Sequence, residues 1–210
     1  MTPSDFLAAL REARASAIVR TSSKEAAANA MDAAIKGGFR ICEFTLTVPS
    51  AFDLIKEFSA RPDIIVGAGT VLTPDEARRA VAAGARFLVS PLVDPAVITE
   101  SHKLKVAAIP GCSTPTEMML AHRFGAPLQK LSPAPASGPQ WVTQTLAPLP
   151  FLRIVPTAGV TLENAAPYLR AGAYAVGFVS SLFDATDIAA GRFDAIEARA
   201  RQMLETVSAA

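Results

Sequence analysis

The sequence predicts an α/β fold in which a single domain, residues 1–210, forms a (β/α)8 TIM barrel with an N-terminal helix. Three observations predict this fold. Eight short apolar runs begin about 20 to 25 residues apart, which is the length of one βα unit. Alanine-rich amphipathic stretches with helix start and stop signals separate these runs. No linker interrupts the alternation, which favours one closed barrel.

The predicted strands are short and lack insertions between them. They occupy residues 17–20, 41–46, 64–67, 87–90, 106–110, 128–132, 154–157 and 175–179. A doubly wound open sheet is the alternative fold. Such a sheet with a dinucleotide site carries G-x-G-x-x-G after its first strand, whereas R-T-S-S stands there in this chain. The active site of the predicted barrel must therefore be built from strand ends and short loops.

The predicted helices have recognisable boundaries. The N-terminal stretch contains Asp5 and Glu12, which a signal peptide would lack, and it indicates a capped helix. The glycine pair 37–38 ends the second helical stretch, as expected of a helix C-terminus. Hydroxyl residues suited to N-caps precede three helical stretches, at Ser23, Thr73 and Thr161.

Composition excludes several classes of function. Half of the residues are hydrophobic and the formal net charge is +1, so no charge excess predicts nucleic acid or an anionic membrane as a partner. No apolar run approaches the roughly 20 residues that span a bilayer. We interpret Cys42 and Cys112 as reduced core residues of a cytoplasmic protein. His102 and His122 are isolated from each other, so we expect no metal site.

Two ionisable residues interrupt predicted strands. Lys130 follows Leu128 and Gln129 and precedes Leu131, and burying an unpaired ammonium is costly. Alternation in the second strand places Glu43 on the same face as threonines 45 and 47. Inside a barrel, the amine and the carboxylate would share a poorly hydrated space. They form either a buried ion pair or a nucleophilic amine of lowered pKa beside a carboxylate that transfers protons.

Seven motifs follow one another along nearly the whole chain. They are G-G-F-R-I-C-E-F-T-L-T-V-P, V-G-A-G-T-V-L-T-P, V-S-P, I-P-G-C-S-T-P-T-E, K-L-S-P with G-P-Q-W, V-P-T-A-G-V-T-L-E-N, and A-V-G-F-V-S-S-L. In this order and spacing they resemble the class I aldolases that cleave 2-keto-3-deoxy-6-phosphogluconate (KDPG) and 4-hydroxy-2-oxoglutarate (KHG). That family consists of small (β/α)8 barrels.

The resemblance implies a Schiff-base aldolase. It would reversibly cleave a 2-keto-3-deoxy sugar acid or KHG to pyruvate and an aldehyde, either glyceraldehyde 3-phosphate or glyoxylate. Lys130 would form the Schiff base with the C2 keto group, and Glu43 would be the general acid/base, acting through water. Arg20, Thr70 and Thr157 would bind the keto-acid carboxylate or nearby oxygens. No metal or other cofactor is implied, because the iminium serves as the electron sink, and the resemblance implies a homotrimer.

Two loops depart from the family's pattern at the expected phosphate site. Ala158 replaces the first glycine of P-T-G-G, leaving Gly159, and Val179 replaces the second glycine of a G-x-G-S-type turn, leaving Ser180. Backbone N–H groups must approach a phosphate closely, and a Cβ at either position crowds that approach. Valine also resists a positive φ. These departures favour an unphosphorylated or shorter substrate more than is typical of the family.

Two further positions vary on the predicted substrate side. Ser132 stands where the family usually has an aromatic residue, and it either bonds a substrate hydroxyl or widens the pocket. Thr47 replaces an arginine of some members, but others combine threonine there with an arginine on the first strand, as Arg20 would be. Two rival functions remain. One is another barrel lyase or isomerase, and the other is a barrel that binds a keto acid or sugar acid without cleaving it.

Overall fold

Helices and strands alternate along residues 1–210, all of which the computed structural model describes. The helices are α1 (Pro3–Ala13), α2 (Lys24–Lys36), α3 (Ala51–Ser59), α4 (Pro74–Ala82), α5 (Pro95–Lys103), α6 (Pro115–Arg123), α7 (Pro139–Leu146), α8 (Leu162–Arg170), α9 (Ala185–Ala189) and α10 (Phe193–Ser208). The strands are β1 (Ala15–Val19), β2 (Ile41–Thr45), β3 (Ile65–Gly69), β4 (Phe87–Val89), β5 (Ala107–Ile109), β6 (Gly111–Cys112), β7 (Gln129–Leu131), β8 (Ile154–Pro156) and β9 (Val176–Phe178). The predicted α/β alternation and the N-terminal helix are confirmed.

The strands form a curled, wholly parallel sheet in two pieces. The larger piece has the order β5-β4-β3-β2-β1-β9, and the smaller has the order β6-β7-β8. The predicted strand 106–110 is where the sheet divides: β5 pairs with β4, and β6 pairs with β7, on either side of Pro110. Proline lacks the N–H that a continuous ladder requires. The predicted eight-stranded barrel is thus seen as a curled sheet of nine shorter strands.

Helix boundaries follow the capping residues of the sequence. Ser23 Oγ accepts a hydrogen bond from the Ala26 N–H at the start of α2, and Thr73 forms a reciprocal capping box with Glu76 at the start of α4. Such caps contribute about 1 kcal/mol each. After α2, Gly38 has a φ of +116°, which glycine adopts without a Cβ penalty. These caps keep the connections short, so few residues cover the carboxyl ends of the strands.

Inward-facing residues at the starts of several strands, among them Ile41 and Phe87, pack against α1. Phe6 and Leu10 of α1 are buried, and the Phe6 ring stacks on Phe87 at the start of β4 with 4.6 Å between centroids. A Cβ on Gly67 would overlap the Phe87 ring, so the glycine provides the space for it. The Tyr174 hydroxyl donates to the Leu7 carbonyl at 2.8 Å and anchors the helix. Helix α1 therefore closes the amino-terminal end of the curled sheet.

The remaining core lies between the sheet and the outer helices. It contains 48 buried apolar residues, against ten in the cluster inside the sheet, so most of the hydrophobic stabilisation comes from this outer layer. Cys42 and Cys112 are both buried and unpaired, as the sequence predicted. No helix is at once long enough and apolar enough to cross a membrane.

Candidate active site

A cavity inside the curled sheet brings the two predicted catalytic residues together. It is narrow, because the centre of a water molecule fits in only about 10 Å³ of it, roughly the room of one water, and eight of its twelve lining residues are hydrophobic. The apolar wall includes Phe6 and Leu10 at the closed end. The four polar lining residues are Ser16, Glu43, Lys130 and Thr157. Polar groups are therefore few and concentrated in this cavity.

Glu43 lies at the centre of β2 and faces the cavity. It is only 3% exposed, and its neighbours in the sheet are Ile18 on β1 and Gly67 on β3. A Cβ on Gly69 would overlap Glu43 Oε1, so this glycine leaves the room that the carboxylate occupies. Burial raises the pKa of Glu43, and the positive charges of Lys130 and Arg20 oppose that rise. Glu43 therefore retains its proton more readily than an exposed carboxyl group does.

Lys130 lies at the centre of β7 and is half-buried. Burial lowers its pKa most strongly, and the nearby charge of Arg20 lowers it further. Glu43 and Cys112 act in the opposite direction. Since burial disfavours the charged forms of both Lys130 and Glu43, the cavity favours an uncharged amine beside a carboxyl group that retains its proton more readily.

No ion pair joins Lys130 to Glu43. The structure contains eight pairs with a nitrogen–oxygen distance of 4.0 Å or less, and all of them involve other residues. The buried ion pair that the sequence left open is thus not formed at that distance. The two groups line one cavity that has room for about one water molecule.

Thr157 is the one predicted binding residue that also lines the cavity. It follows β8, is 3% exposed, and its backbone N–H donates to the Leu131 carbonyl at 2.9 Å. Arg20, by contrast, is exposed at the end of β1 and lines a neighbouring groove beside Phe183 and Ile188. Thr157 is thus placed beside the catalytic pair, and Arg20 at the rim.

The other predicted binding residues also lie around the open end. Thr47 is exposed, with its hydroxyl 2.9 Å from the Thr45 hydroxyl, and Thr70 is half-buried with a φ of +58°. Ser132 is half-buried just after β7, and its carbonyl accepts a hydrogen bond from the Ser113 hydroxyl. Gly159 and Ser180 are exposed in the loops that follow β8 and β9. All of these positions follow strand ends, as predicted, and surround the cavity without lining it.

The two loops that depart from the family's pattern behave differently. Ala158 has a φ of +50°, so it adopts a left-handed conformation despite its Cβ. Such a conformation costs a non-glycine residue about 1–2 kcal/mol. Val179 is half-buried and is not among the residues of positive φ. The expectation that this loop requires a positive φ at Val179 is therefore wrong. Only the bulk of the Val179 side chain remains as an obstacle to an anion.

Sequence reasoning missed Ser16. It is the second residue of β1, is 7% exposed and lines the cavity together with Glu43 and Lys130. The predicted first strand began at residue 17, two residues later than β1. The signal was available, because extending the alternation of Ile18 and Arg20 back by one step places Ser16 on the same face.

A family model described as KDPG and KHG aldolase matches residues 7–199. The chain belongs to the KDPG and KHG aldolase family. This aldolase is 36% identical over 203 residues to the 2-dehydro-3-deoxy-phosphogluconate aldolase of Treponema pallidum (strain Nichols), covering 95% of this chain and 96% of the relative. It is 34% identical over 175 residues to the KHG/KDPG aldolase of Escherichia coli (strain K12), covering 82% of each. The aldolase function expected from the motifs is confirmed, and the protein is a carbon–carbon lyase.

A solved structure of this family shares the fold. It is the KDPG aldolase of Legionella pneumophila with pyruvate captured at low pH as a covalent carbinolamine intermediate, and it aligns with a TM-score of 0.79 at 27% identity. The alignment covers 89% of this chain and 93% of the Legionella chain. No group of three or more His, Cys, Asp or Glu side chains in this aldolase could hold a metal ion.

Proposed function

We propose that this aldolase acts through a Schiff base on Lys130, with Glu43 as the general acid/base. The observation that carries the proposal is the shared cavity, which a desolvated amine and a desolvated carboxyl group line without forming an ion pair. Lowering the pKa of a lysine increases its uncharged, nucleophilic fraction, and raising the pKa of a carboxyl group makes it a better proton donor and acceptor nearer neutral pH. The carbinolamine of pyruvate in the Legionella relative is chemistry of the same kind.

The reaction then follows from these two groups. The uncharged Lys130 amine attacks the C2 keto carbon of the substrate. The carbinolamine then takes a proton from the Glu43 carboxyl group, through water, and loses water to give an iminium and the Glu43 carboxylate. Glu43 accepts the C4 hydroxyl proton, through water, as the C3–C4 bond breaks and an aldehyde departs. The bond's electron pair moves into the iminium and gives the enamine of pyruvate. Protonation at C3 and hydrolysis release pyruvate and restore the amine.

The remaining site residues are proposed to bind the substrate. Thr157 lies beside the catalytic pair, and Arg20 is a free cation at the rim, so both suit the carboxylate of the keto acid together with Thr70. The hydroxyls of Thr47 and Ser132 would contact the hydroxyl groups of a sugar acid. Gly159 and Ser180 would contact the far end of the substrate, in the loops that follow the last two strands.

The substrate is proposed to be a 2-keto-3-deoxy sugar acid of the KDPG type or KHG, cleaved to pyruvate and glyceraldehyde 3-phosphate or glyoxylate. The second candidate is an unphosphorylated sugar acid, and one observation favours it. Val179 adds a branched side chain to one of the two loops where a phosphate would meet backbone N–H groups. Ala158 supports an unphosphorylated substrate less strongly, because its backbone has the left-handed conformation that a glycine would adopt.

Three broader features belong to the same proposal. Closure of the sheet into a (β/α)8 barrel is supported by a hydrogen bond of 2.8 Å from the Tyr174 N–H to the Ile154 carbonyl, which links the outer strands of the two pieces. A cytoplasmic location is supported by two buried thiols that form no disulfide. Assembly as a homotrimer rests on the resemblance to the family, and the keto acid is the only small-molecule partner proposed.

Trapping the intermediate tests the proposal. The protein is incubated with pyruvate and borohydride, which reduces an imine to a stable amine, and the modified residue is identified by mass spectrometry. We expect one pyruvate adduct, on Lys130. The matched control is Lys36→Ala, which removes an exposed lysine of α2 and should leave the adduct unchanged. An adduct on any other lysine, or none at all, contradicts the Schiff-base assignment.

A further inference from the structure

Ser16 is the only polar residue of the cavity to which the proposed function gives no role. It lies on β1 and is 7% exposed, among lining residues that are mostly apolar. Other inward-facing positions of the sheet are filled by large apolar residues such as Ile41 and Phe87. A hydroxyl group among these apolar side chains therefore needs a physical explanation.

The Ser16 hydroxyl has no hydrogen-bond partner within the chain. Ser101 is also buried, but its hydroxyl donates to the Ile98 carbonyl at 2.7 Å. Every side-chain nitrogen or oxygen that is sealed off completely has such a partner, so the Ser16 hydroxyl must face the cavity. Burying a hydroxyl without a partner costs about 1–3 kcal/mol, a cost that alanine would avoid. Its partner is therefore expected inside the cavity.

Gly177 lies next to both Ser16 and Thr157. Ser16 is the register partner of Gly177 on β9. A Cβ on Gly177 would lie 3.5 Å from Ser16 Oγ, 2.6 Å from Thr157 Cγ2 and 2.8 Å from Ile18 Cδ1, so the glycine allows Thr157 to approach Ser16 closely. The Thr157 hydroxyl also makes no hydrogen bond within the chain, although the residue is only 3% exposed. Two residues with unpartnered hydroxyls therefore meet at Gly177 and line the same cavity.

Ser16 and Thr157 line the same cavity as the proposed catalytic pair. Thr157 lies two residues beyond Val155, which is the register partner of Lys130. On the other side, Ser16 lies two residues before Ile18, which is the register partner of Glu43. A buried water requires two to four polar partners, and the hydroxyls, the amine and the carboxyl group supply that number.

We propose that Ser16 is a positioning residue that, with Thr157, holds a water molecule between Glu43 and the Schiff base on Lys130. The inference rests on the proposed function. In the direction of pyruvate release, this water gives one proton to C3 of the enamine while it takes one from the Glu43 carboxyl group. The enamine becomes an iminium, Glu43 becomes a carboxylate, and the water is unchanged. Without the Ser16 hydroxyl, the water loses the alignment that the transfer needs.

The test measures proton transfer separately from Schiff-base formation. Exchange of the C3 protons of pyruvate for deuterium in D2O is followed by NMR, and the Lys130 adduct is quantified by borohydride trapping in parallel. We expect Ser16→Ala to slow exchange about tenfold or more, within the usual range for a positioned proton transfer, while the yield of adduct stays unchanged. Its melting temperature should not fall, because the variant removes an unpartnered hydroxyl.

Two further variants make the result specific. Ser101→Ala removes a buried hydroxyl that has a partner, so it should lower the melting temperature and leave exchange unchanged. Ser16→Cys fills nearly the same space with a weaker hydrogen-bonding group, so it should slow exchange in the same direction as Ser16→Ala.

Exchange within twofold of the unsubstituted protein in both Ser16 variants would overturn the inference. So would a loss of exchange that parallels a loss of adduct or of melting temperature, because either would indicate a structural role. Absence of any Lys130 adduct in the unsubstituted protein would overturn the proposed function and this inference with it. That failure is distinguishable, since it is seen before any substitution at Ser16.

Discussion

The two ends of the cavity are covered in opposite ways. At the amino-terminal end of the strands, α1 inserts Phe6 and Leu10 and leaves both buried. At the carboxyl end, short loops carry exposed polar residues such as Arg20 and Thr47. The closed end removes water from below Lys130, and the open end admits a charged substrate from above. The comparison teaches that desolvation of the lysine and access to it are provided by different parts of the chain.

Removing the amine itself should have the largest effect. Lys130→Ala should reduce cleavage to the background rate, because no other group in the cavity can form an imine. The fold should persist, since a buried amine is replaced by a small apolar side chain. Steady-state kinetics and circular dichroism check both points. Substantial turnover in the variant would show that the reaction does not pass through Lys130.

Substituting Glu43, the proposed general acid/base, should have the next largest effect. Glu43→Gln keeps the size of the side chain but removes its ability to exchange protons, so kcat should fall by about 10²–10⁴-fold. The adduct of pyruvate on Lys130 should still form under borohydride. A variant with normal kcat would assign the acid/base role to another residue, and a variant that loses the adduct as well would indicate that Glu43 acts mainly on the state of the lysine.

Opening the closed end should shift the pH dependence. Phe6→Leu leaves part of the ring's volume empty, so water reaches the cavity and weakens the desolvation that lowers the pKa of Lys130. Raising this pKa reduces the uncharged fraction at neutral pH, so the acid limb of the rate profile should move to higher pH. The other charged or titratable groups that act on Lys130, namely Glu43, Arg20 and Cys112, are unaltered.

The control for this shift is Phe39→Leu. Phe39 is as deeply buried as Phe6 but packs edge-on against Phe178 in the outer core, away from the cavity. Both variants should lose stability through poorer packing. Only Phe6→Leu should move the acid limb, and equal profiles for the two variants would show that the closed end does not set the pKa of the lysine.

The smallest effect is expected at the open end. Val179→Gly should raise activity on phosphorylated relative to unphosphorylated sugar acids by a few-fold, because it removes a side chain from the loop that would meet a phosphate. Ala158→Gly should change this ratio less, since its backbone is already left-handed. It should instead stabilise the protein by up to about 1–2 kcal/mol through relief of the left-handed strain. An unchanged ratio in Val179→Gly would remove the argument for an unphosphorylated substrate.

Much of the fold was predictable because it depends on local rules. Ser23 and Thr73 cap helices where the sequence predicted caps, and inward alternation identified Glu43 and Lys130. The division of the sheet at Pro110 was not predicted, because it depends on which neighbour each half of the segment pairs with. Pairing between distant segments leaves no periodic signal in the sequence of one strand.

The candidate site was predictable where the motifs are specific and less so elsewhere. The cavity contains Thr157 as expected, but Arg20 lies in a neighbouring groove at the rim. Ser16 was missed because the predicted strand began at residue 17, two residues after the start of β1. The left-handed backbone at Ala158 was also unforeseen, because a sequence gives no direct sign of how much strain a loop will tolerate.

The pH dependence of pyruvate capture on Lys130 tests the central claim most directly. The rate at which borohydride traps the adduct is measured from neutral to alkaline pH, so that it follows the uncharged fraction of the amine. Burial inside the cavity predicts a midpoint clearly below the ordinary lysine pKa of 10.5. A midpoint at or above that value would show that the cavity does not desolvate the amine, and it would contradict the account.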